Sequence, residues 1–448
     1  MSQKSFNVIL KSKIKPFKKI ITVDSDKSIS IRSFLIGAIA QNISSVKNVL
    51  VSDDVMSAIK CLKTLGVKIK KISEKKFLIF GKGLGSLQTK KNATLNFGNS
   101  GTLARLLIGI LTTTPNIQVN LKGDSSLNKR SMKKLIKIMS KFGGIFIPKK
   151  RFNFPIKMIS SRMPVGINYE AGVSAQLKSA VILAGLNATG DTNIIEKSFS
   201  RNHTENILFK NKNVIKISGK NKKKIKVRGC QKISPLKMNV PGDPSSAAFF
   251  VAHSLLNKNS KLKISNVGLN PTRTGFYKLL KRHGAKISFK NLKKENNETR
   301  GDIHIISSKI KPIKATKDFY VNSTDEYPIL FVIAALTKGI SIFKGVEDLA
   351  NKESNRIKEM QKILRQLDIK SIHRNDEIKI FGKGPINANR KTIFVPSLGD
   401  HRICMSSFIL SILTGAKTKI KNFETVNTSS PSFLKIIKIL GANFEIQK

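Results

Sequence analysis

The segment FGNSGTLARLLIGI, residues 97–110, places small and polar side chains directly before an apolar helical pattern. Asn99, Ser100, Gly101 and Thr102 stand at the expected helix entrance. A helix N-terminus carries unpaired backbone N–H groups and the positive end of the helix dipole, so it can hold an anion. Asn, Ser and Thr are also the ordinary capping residues. On this segment alone, simple capping is the preferred interpretation.

Cationic side chains recur at or near other expected helix starts. A lone arginine at any of these places is more often a solvated side chain than a ligand. Recurrence favours anion binding, because a guanidinium group can hold phosphate or carboxylate oxygens in pairs. The sequence therefore predicts a ligand with several negative charges, read as two small anions brought together. The cations concerned are Lys27, Arg32, Arg105, Arg130, Arg356 and Arg402.

Acidic residues are scarce, with 27 Asp and Glu against 82 Lys and Arg, and a few stand beside these cations. Asp325 and Glu326 precede an apolar helical pattern, where a carboxylate is either a partner of the helix dipole or a base in a desolvated site. Glu353 lies in NKESNRI with Lys352 and Arg356. Taken singly, Glu353 is better explained as half of a surface helix pair than as a catalytic group.

Six segments repeat one pattern: an amphipathic helical stretch, a glycine or turn residue, and a short alternating strand. The copies lie roughly 70 to 85 residues apart, which suits a whole supersecondary unit better than a solenoid repeat. We therefore predict two lobes of three units each, with the ligand in the cleft between them. The copies begin near Cys61, Ile138, Ile207, Leu279, Ile363 and Ile436.

The net charge of +55 over 448 residues invites a nucleic-acid interpretation. The excess is mostly lysine scattered from end to end, with no zinc-finger spacing and no RNA-binding aromatic motif, so we discount a specific nucleic-acid partner. Cys61, Cys230 and Cys404 are too few and too far apart for a disulfide framework or metal site. No apolar run approaches the ~18 residues of a membrane helix. We expect a cytoplasmic protein without a membrane partner, although an import sequence could have been removed.

Ten segments occur in the same order as in the 5-enolpyruvylshikimate-3-phosphate (EPSP) synthase family, which the chain resembles from about Val23 to its C-terminus. They are DKSISIRS, GNSGTLARLLIG, GDSSLNKRSM, SAQLKSAVILAGL, SRNHTE, PGDPSSAAFF, NPTRTGF, DEYPIL, NKESNRI and DHRICMS. The resemblance implies an inverse α/β barrel of six βαβαββ units, three per lobe. It implies one lobe from residues 1–24 and 244–448 and the other from 25–243.

The resemblance also implies an activity: transfer of the enolpyruvyl group of phosphoenolpyruvate to the 5-hydroxyl of shikimate 3-phosphate, with release of phosphate, on the route to chorismate and the aromatic amino acids. It implies a monomer with no metal and no organic cofactor. Asp325 is then the base at the 5-hydroxyl, while Lys27 and Glu353 serve proton delivery to and removal from the enol methylene. Arg105 is expected to brace the loop that precedes its helix.

Two binding sets follow from the same resemblance. Shikimate 3-phosphate is expected to be held by Lys27, Ser28, Arg32, Ser174, Ala175, Gln176, Ser200, Asp325 and Lys352. Phosphoenolpyruvate is expected to be surrounded by Lys27, Asn99, Gly101, Arg130, Gln176, Arg356 and Arg402.

The chain departs from the family pattern at several positions. Asp24 and Ser25 replace a usual Pro-Gly pair, so the loop is less constrained and acidic groups lie near Lys27. Ala350 and Asn355 replace an Arg and an Asp that brace the site, and Thr428 stands where some members have a lysine. We expect these changes to slow turnover rather than abolish it.

Two alternative functions stay open on the sequence. One is the sister enolpyruvyl transferase that acts on UDP-N-acetylglucosamine, which generally carries a reactive cysteine on a loop that corresponds to residues 122–131. No cysteine occurs there. The other is a noncatalytic relative that binds polyanions, which the net charge of +55 and the changes at Ala350 and Asn355 favour.

Overall fold

The computed structural model describes residues 5–219 and 223–448. Its helices are α1 (Lys27–Ile39), α2 (Asp53–Thr64), α3 (Gly101–Thr113), α4 (Ser125–Lys129), α5 (Lys133–Lys141), α6 (Ala175–Gly185), α7 (His203–Leu208), α8 (Pro244–Leu256), α9 (Gly275–Arg282), α10 (Tyr327–Ala335), α11 (Arg356–Arg365), α12 (His401–Thr414) and α13 (Phe433–Ile439).

The strands occur before, between and after these helices, singly or in runs of two or three. They are β1 (Asn7–Leu10), β2 (Lys18–Ile21), β3 (Gln41–Lys47), β4 (Lys68–Ser73), β5 (Lys76–Lys82), β6 (Ala93–Asn96), β7 (Gln118–Lys122), β8 (Ile145–Ile147), β9 (Ile156–Ile159), β10 (Asn168–Ala171), β11 (Asp191–Glu196), β12 (Ile215–Ser218), β13 (Lys223–Arg228), β14 (Lys237–Asn239), β15 (Lys261–Gly268), β16 (Lys286–Glu295), β17 (Glu298–Ile306), β18 (Lys314–Ala315), β19 (Gly339–Lys344), β20 (Ser371–Arg374), β21 (Glu377–Gly382), β22 (Thr392–Val395), β23 (Lys417–Ile420) and β24 (Phe444–Gln447).

Six four-stranded sheets share one topology. In the sheet ordered β6-β7-β9-β8, the first pair is parallel and the other two pairs are antiparallel. The other sheets have the orders β10-β11-β13-β12, β14-β3-β5-β4, β16-β17-β15-β2, β18-β19-β21-β20 and β22-β23-β1-β24. All six predicted helix-turn-strand segments are present, as α2 with β4, α5 with β8, α7 with β12, α9 with β16, α11 with β20 and α13 with β24. The predicted six-fold repeat is therefore confirmed.

The chain divides into two compact units. Unit 1 contains residues 1–24, 241–294 and 299–448, and unit 2 contains residues 25–240 and 295–298. Each unit has three of the six sheets and its own buried apolar core. The chain is therefore long enough for two independent cores, each built from three repeats.

The burial patterns of the strands and helices explain how the fold accommodates so many lysines. In β13, Ile225 and Val227 are buried, while Lys224 and Lys226, which alternate with them, are exposed. This alternation follows the two-residue period of a strand with one face on a core. The lysine excess therefore lies largely on the solvent faces of elements whose other faces are apolar.

Five repeats pair a helix that is buried nearly all round with an amphipathic one, while in the α6–α7 repeat every residue of α7 is also buried. Every residue of α10 is buried, whereas α11 buries only one side, through residues such as Ile357, Met360 and Leu364. A helix surrounded by apolar neighbours meets polar groups mainly at its ends. The starts of the buried helices are accordingly where the sequence concentrates its charged and hydroxyl side chains.

Among the residues that the structure describes, no helix has the length and apolar character needed to span a membrane.

Candidate functional site

Helices begin at the predicted entrances, and α1, α3 and α6 each carry a conventional side-chain cap. Asp26 accepts the N–H of Ile29 at 2.8 Å at the start of α1. Ser100 accepts the N–H of Leu103 at 3.3 Å at the start of α3, and Ser174 caps α6 in the same way. Capping is thus confirmed, but each cap pairs with only one of the free backbone N–H groups in the first turn of its helix. The remaining question is which side chains surround these ends.

In unit 2, two arginines enclose the start of α3. Arg130 donates from Nη2 to Oδ1 of Asn99 at 2.5 Å. Arg105 donates from Nη1 to the carbonyl of Gly101 at 3.0 Å and to Oε1 of Gln176 at 2.9 Å. The predicted brace by Arg105 is confirmed. We call these five residues, Asn99, Gly101, Arg105, Arg130 and Gln176, the α3 cluster.

Gly101 leaves room for two guanidinium groups at the start of α3. A Cβ at this position would lie 2.6 Å from Nη1 of Arg105 and 3.4 Å from Nη1 of Arg130. The space beside Gly101 is thus filled by guanidinium groups of the protein itself. The absence of a side chain lets both arginines reach the start of α3.

Gln176 connects two helix starts of unit 2. It receives the hydrogen bond from Arg105 and donates from Nε2 to Oγ1 of Thr102 at 3.0 Å. Since Gln176 lies in the first turn of α6 and Thr102 in the first turn of α3, these two helix starts are adjacent. Three predicted ligands of phosphoenolpyruvate, Asn99, Arg130 and Gln176, therefore belong to one contiguous group.

Lys27 is the first residue of α1, and its Nζ lies 2.9 Å from Oδ2 of Asp54. Asp54 belongs to the first turn of α2 and is nearly buried. The acids beside Lys27 in sequence have other partners: Asp26 caps α1, and Asp24 accepts the N–H of Ser432 at 2.8 Å. The partner of Lys27 was therefore missed, because no local sequence signal connects it to Asp54.

Arg32 lies within α1, and its side chain is buried. It donates from Nε to Oγ1 of Thr204 at 2.9 Å and from Nη2 to Oγ of Ser179 at 3.1 Å. Its Nη1 donates to the carbonyl of Ser28 at 3.2 Å. These bonds join α1 to α6 and α7. The position of Arg32 near a helix start was predicted from the sequence, but these contacts were not.

Ser200 follows β11 and is 1% exposed. Its backbone N–H and its hydroxyl donate to Oε1 of Glu196 at 2.8 and 2.6 Å. The hydroxyl proton of Ser200 is therefore committed to Glu196. In this arrangement Ser200 can offer a ligand only an acceptor lone pair.

In unit 1, Arg356 joins three carboxylates. Its Nε donates to Oδ2 of Asp400 at 2.9 Å, and its Nη2 donates to Oε2 of Glu353 at 2.5 Å. Its Nη1 lies 3.9 Å from Oδ1 of Asp325, which also lies 3.5 Å from Nε of Arg402. We call Asp325, Glu353, Arg356, Asp400 and Arg402 the arginine cluster. The structure thus brings together four predicted site residues from three separate segments.

Burial differs within the arginine cluster in a way that bears on its chemistry. Arg356 and Asp400 are fully buried, while the side chains of Asp325 and Glu353 are 24% and 21% exposed. Burial alone lowers the pKa of Arg356, but Asp400 and Glu353 outweigh it and hold the pKa above the ordinary value. Arg356 is therefore a permanent cation that positions two partly accessible carboxylates.

Lys352 and Glu353 precede α11, which begins only at Arg356. The surface helix pair considered for Glu353 is therefore wrong, because Glu353 lies before the helix and bonds to the buried Arg356. Lys352 contacts Oδ2 of Asp348 at 2.5 Å. The Tyr320 hydroxyl donates to the same oxygen at 2.9 Å, and burial and Asp348 raise the pKa of Tyr320.

The departures from the family pattern have structural explanations in two cases. Asn355 caps α11 by accepting the N–H of Lys358 at 3.0 Å, so it retains the capping that an Asp would supply. Thr428 donates to the carbonyl of Thr425 at 2.8 Å, and its Oγ1 lies 3.5 Å from Nδ1 of His401. Nothing in the structure explains Ala350.

Within residues 5–219 and 223–448, no group of three or more His, Cys, Asp or Glu side chains is arranged to hold a metal ion. The cysteines are all free, and burial raises the pKa of the Cys61 thiol to about 12. The carboxylates and guanidinium groups of the two clusters can transfer protons and bind anions.

Comparisons with known proteins agree with one another. The family model described as EPSP synthase (3-phosphoshikimate 1-carboxyvinyltransferase) matches residues 11–437. A 3-phosphoshikimate 1-carboxyvinyltransferase of Petrotoga mobilis is 38% identical over 435 residues, covering 96% of this chain and 99% of that protein. The enzyme of that name from Paramagnetospirillum magneticum is 34% identical over 423 residues, covering 94% of each chain.

Solved structures give the same result. An EPSP synthase from Acinetobacter baumannii superposes with a TM-score of 0.84 at 32% identity, covering 99% of this chain and 100% of the other. The enolpyruvyl transferase NikO from Streptomyces tendae superposes with a TM-score of 0.75 at 12% identity and 99% coverage of both chains, which shows the fold alone. The predicted enolpyruvyl transferase fold is confirmed.

Proposed function

Because the chain belongs to the EPSP synthase family, we propose that it transfers the enolpyruvyl group of phosphoenolpyruvate to the 5-hydroxyl of shikimate 3-phosphate. The products are 5-enolpyruvylshikimate 3-phosphate and phosphate. The reaction belongs to the pathway to chorismate and the aromatic amino acids. The observation that carries the assignment of roles is the arginine cluster, where one buried guanidinium holds two partly accessible carboxylates.

Asp325 is the proposed base for the 5-hydroxyl. Addition of this oxygen to the enol carbon requires loss of the hydroxyl proton, and a carboxylate within hydrogen-bond reach can take it. Arg356 and Arg402 lie 3.9 and 3.5 Å from Oδ1 of Asp325 and favour its ionised form. An ionised carboxylate is the state that a general base needs.

Glu353 and Lys27 are the proposed proton carriers at the enol methylene. Addition gives the methylene carbon a proton and forms a C–O bond, and elimination of phosphate then removes a proton from the same carbon. Glu353 is fixed by its bond to Arg356, and Lys27 by its contact with Asp54. Fixed donors and acceptors cost little reorganisation during the reaction.

Phosphoenolpyruvate is proposed to bind Lys27, Asn99, Gly101, Arg130, Gln176, Arg356 and Arg402. Its phosphate and carboxylate suit guanidinium forks, and Asn99, Gly101 and Gln176 complete the polar surroundings. Shikimate 3-phosphate shares Lys27 and Gln176 with phosphoenolpyruvate and is proposed to bind nine residues in all. These are Lys27, Ser28, Arg32, Ser174, Ala175, Gln176, Ser200, Asp325 and Lys352.

These assignments require residues of both units to act on the same pair of substrates, which is the proposed active-site arrangement. The two substrates together carry two phosphates and two carboxylates, more negative charge than either group of cations matches alone. We further propose a monomer that works in the cytoplasm, and the three free cysteines suit that reducing compartment.

The sister transferase and the noncatalytic polyanion binder are not favoured. The relatives that share more than 30% identity are named as 3-phosphoshikimate 1-carboxyvinyltransferases. The segment 122–131 also contains no cysteine of the kind expected in the nucleotide-sugar enzyme.

A phosphate-release assay with each substrate omitted in turn tests the function. We expect phosphate only when shikimate 3-phosphate and phosphoenolpyruvate are both present. Release that depends instead on UDP-N-acetylglucosamine would assign the chain to the sister reaction. RNA binding with a steep salt dependence and no turnover would support the polyanion binder.

A further inference from the structure

A buried ion network lies next to the predicted shikimate 3-phosphate residues of unit 2 and has no role in the mechanism above. Lys178 is completely buried, and its Nζ contacts Oε1 of Glu196 at 2.6 Å and Oε1 of Glu205 at 2.8 Å. Lys223 lies 3.5 Å from Oε1 of Glu205 and 4.0 Å from Oε2 of Glu196. The two lysines and two glutamates balance in charge.

The network holds two binding segments together. On one side, the backbone N–H of Lys178 donates to the carbonyl of Ser174 at 3.1 Å, within the first turn of α6. On the other side, Oε1 of Glu196 accepts the N–H and the hydroxyl of Ser200. The Nζ of Lys178 also lies 3.5 Å from the carbonyl of Ser200. Lys178 thus fixes the distance between residues 174–176 and Ser200.

The segment 197–202 connects β11 to α7. It contains no helix or strand, and Phe199 within it is 48% exposed. Ser200 is its buried residue, and all of its described side-chain bonding goes to Glu196. Without the Glu196 carboxylate, Ser200 would lose the acceptor of both its backbone N–H and its hydroxyl.

Stability alone is a poor explanation for such a network. Burying a lysine and a glutamate carries a large desolvation cost, and well-packed apolar side chains often stabilise a core as well or better. Burial by itself raises the pKa of Glu205, but Lys178 and Lys223 outweigh it and hold the pKa below the ordinary value. A charged network in this place is better explained by the geometry that it imposes on its neighbours.

We propose that the Lys178–Glu196 pair is a positioning device that holds segment 197–202, through Ser200, in the conformation that binds shikimate 3-phosphate. The inference rests on the proposed function. Lys178 and Glu196 are positioning residues, since they act through Ser174 and Ser200 rather than on the substrate.

Two isosteric variants separate positioning from stability. Glu196→Gln weakens the acceptor of both Ser200 hydrogen bonds. Glu205→Gln is the matched control, because Glu205 is equally buried, contacts the same two lysines, and has no described contact with Ser200. Both variants remove one negative charge from the same network, so a merely structural role predicts similar effects in both.

The measurement is the KM for each substrate together with hydrogen exchange of segment 197–202. For Glu196→Gln we expect KM for shikimate 3-phosphate to rise about tenfold, as for loss of a charged hydrogen bond, with kcat and KM for phosphoenolpyruvate within about twofold. Exchange at the Ser200 amide should accelerate by a similar factor without substrate. Glu205→Gln should leave both readouts within about twofold of wild type.

Equal effects of the two variants on KM, or an unchanged Ser200 amide in Glu196→Gln, would overturn the inference. Failure of the proposed function gives a different result, because the wild-type protein itself would then release no phosphate from the two substrates. Hydrogen exchange needs no turnover. It therefore decides the positioning role even in that case.

Discussion

Arg356 and Asp400 form a buried ion pair in unit 1, with Nε of the arginine 2.9 Å from Oδ2 of the aspartate and neither side chain exposed by more than 1%. Asp400 also caps α12 through the N–H of Arg402 at 3.0 Å, and it accepts the hydroxyl of Ser354 at the same distance. One carboxylate therefore holds the guanidinium group of Arg356 and the backbone N–H of Arg402, the two arginines that flank Asp325.

Asp400→Asn should be strongly destabilising and should lower kcat. The substitution leaves Arg356 buried without its main counter-charge, and breaking a buried pair in this way costs about 3 to 5 kcal/mol. Denaturant unfolding measures the first effect and phosphate release the second. Glu445→Gln is the control, since its pair with Lys11 at 2.7 Å is more than half exposed on both sides. It should change the free energy of unfolding by less than about 1 kcal/mol. Similar losses in the two variants would contradict the role of Asp400.

Asp325→Asn and Glu353→Gln should reduce kcat far more than they change KM. Each removes a proton acceptor and keeps the side-chain shape, so we expect a fall of about 100-fold or more in kcat, as is typical for loss of a general acid or base. Steady-state kinetics with both substrates measures this. Glu347→Gln, on the exposed turn Glu347–Asn351, serves as a control and should retain wild-type kcat. A fall of less than threefold in either of the first two variants would remove that residue from the mechanism.

Gly101→Ala should raise KM for phosphoenolpyruvate. The new Cβ would lie 2.6 Å from Nη1 of Arg105, so this guanidinium must move and its bonds to the Gly101 carbonyl and Gln176 must weaken. We expect about a tenfold increase, the equivalent of about 1.4 kcal/mol. Gly172→Ala is the matched control in unit 2, because a Cβ there meets no atom within 4 Å. Equal kinetics in both variants would show that the α3 cluster tolerates the displacement.

His253 should make the protein acid-sensitive. The ring is buried in α8 against Phe17, neither ring nitrogen has a hydrogen-bond partner in the described part of the chain, and burial lowers its pKa to about 3 from an ordinary 6.5. Between these two pH values the unfolded chain binds a proton that the folded protein excludes. This group's contribution to stability therefore falls with decreasing pH, by up to about 1.4 kcal/mol per unit.

The comparison of wild type with His253→Leu isolates this contribution. The difference in the free energy of unfolding should be constant above pH 7 and should shift in favour of the variant below about pH 6.5. Urea unfolding at several pH values measures it. Parallel stability curves from pH 7 to pH 4 would show that the ring is protonated in the folded state or is solvated there.

The sequence predicts the six repeats better than it predicts which side chains contact one another. Apolar periodicity and glycine punctuation locate all six helix-turn-strand segments, since both signals are local. The surface helix pair expected for Glu353 is wrong, because Lys352 and Glu353 lie in a bend that precedes α11. Asn355, the true cap, marks the boundary and was interpreted as a lost brace.

Ion pairs between residues that are distant in sequence cannot be predicted from local patterns. Asp54 pairs with Lys27 and Asp400 with Arg356, across 27 and 44 residues. Both acids are ordinary helix-start residues by pattern, and only the tertiary fold shows that they are buried. The same holds for Lys178, which looks like one more lysine in a chain with 82 Lys and Arg. The one sequence signal for its burial is that Lys178 is the only charged residue in the apolar helix α6.

The central proposal is that Arg130 and Arg402 bind the same phosphoenolpyruvate, and a double-variant cycle on these two residues tests it most directly. We predict that Arg130→Ala and Arg402→Ala each raise KM for phosphoenolpyruvate by about tenfold or more. The double variant should deviate from the product of the two effects, because both groups contact one ligand. An unchanged KM in either single variant, or strictly multiplicative effects in the double variant, would contradict the account.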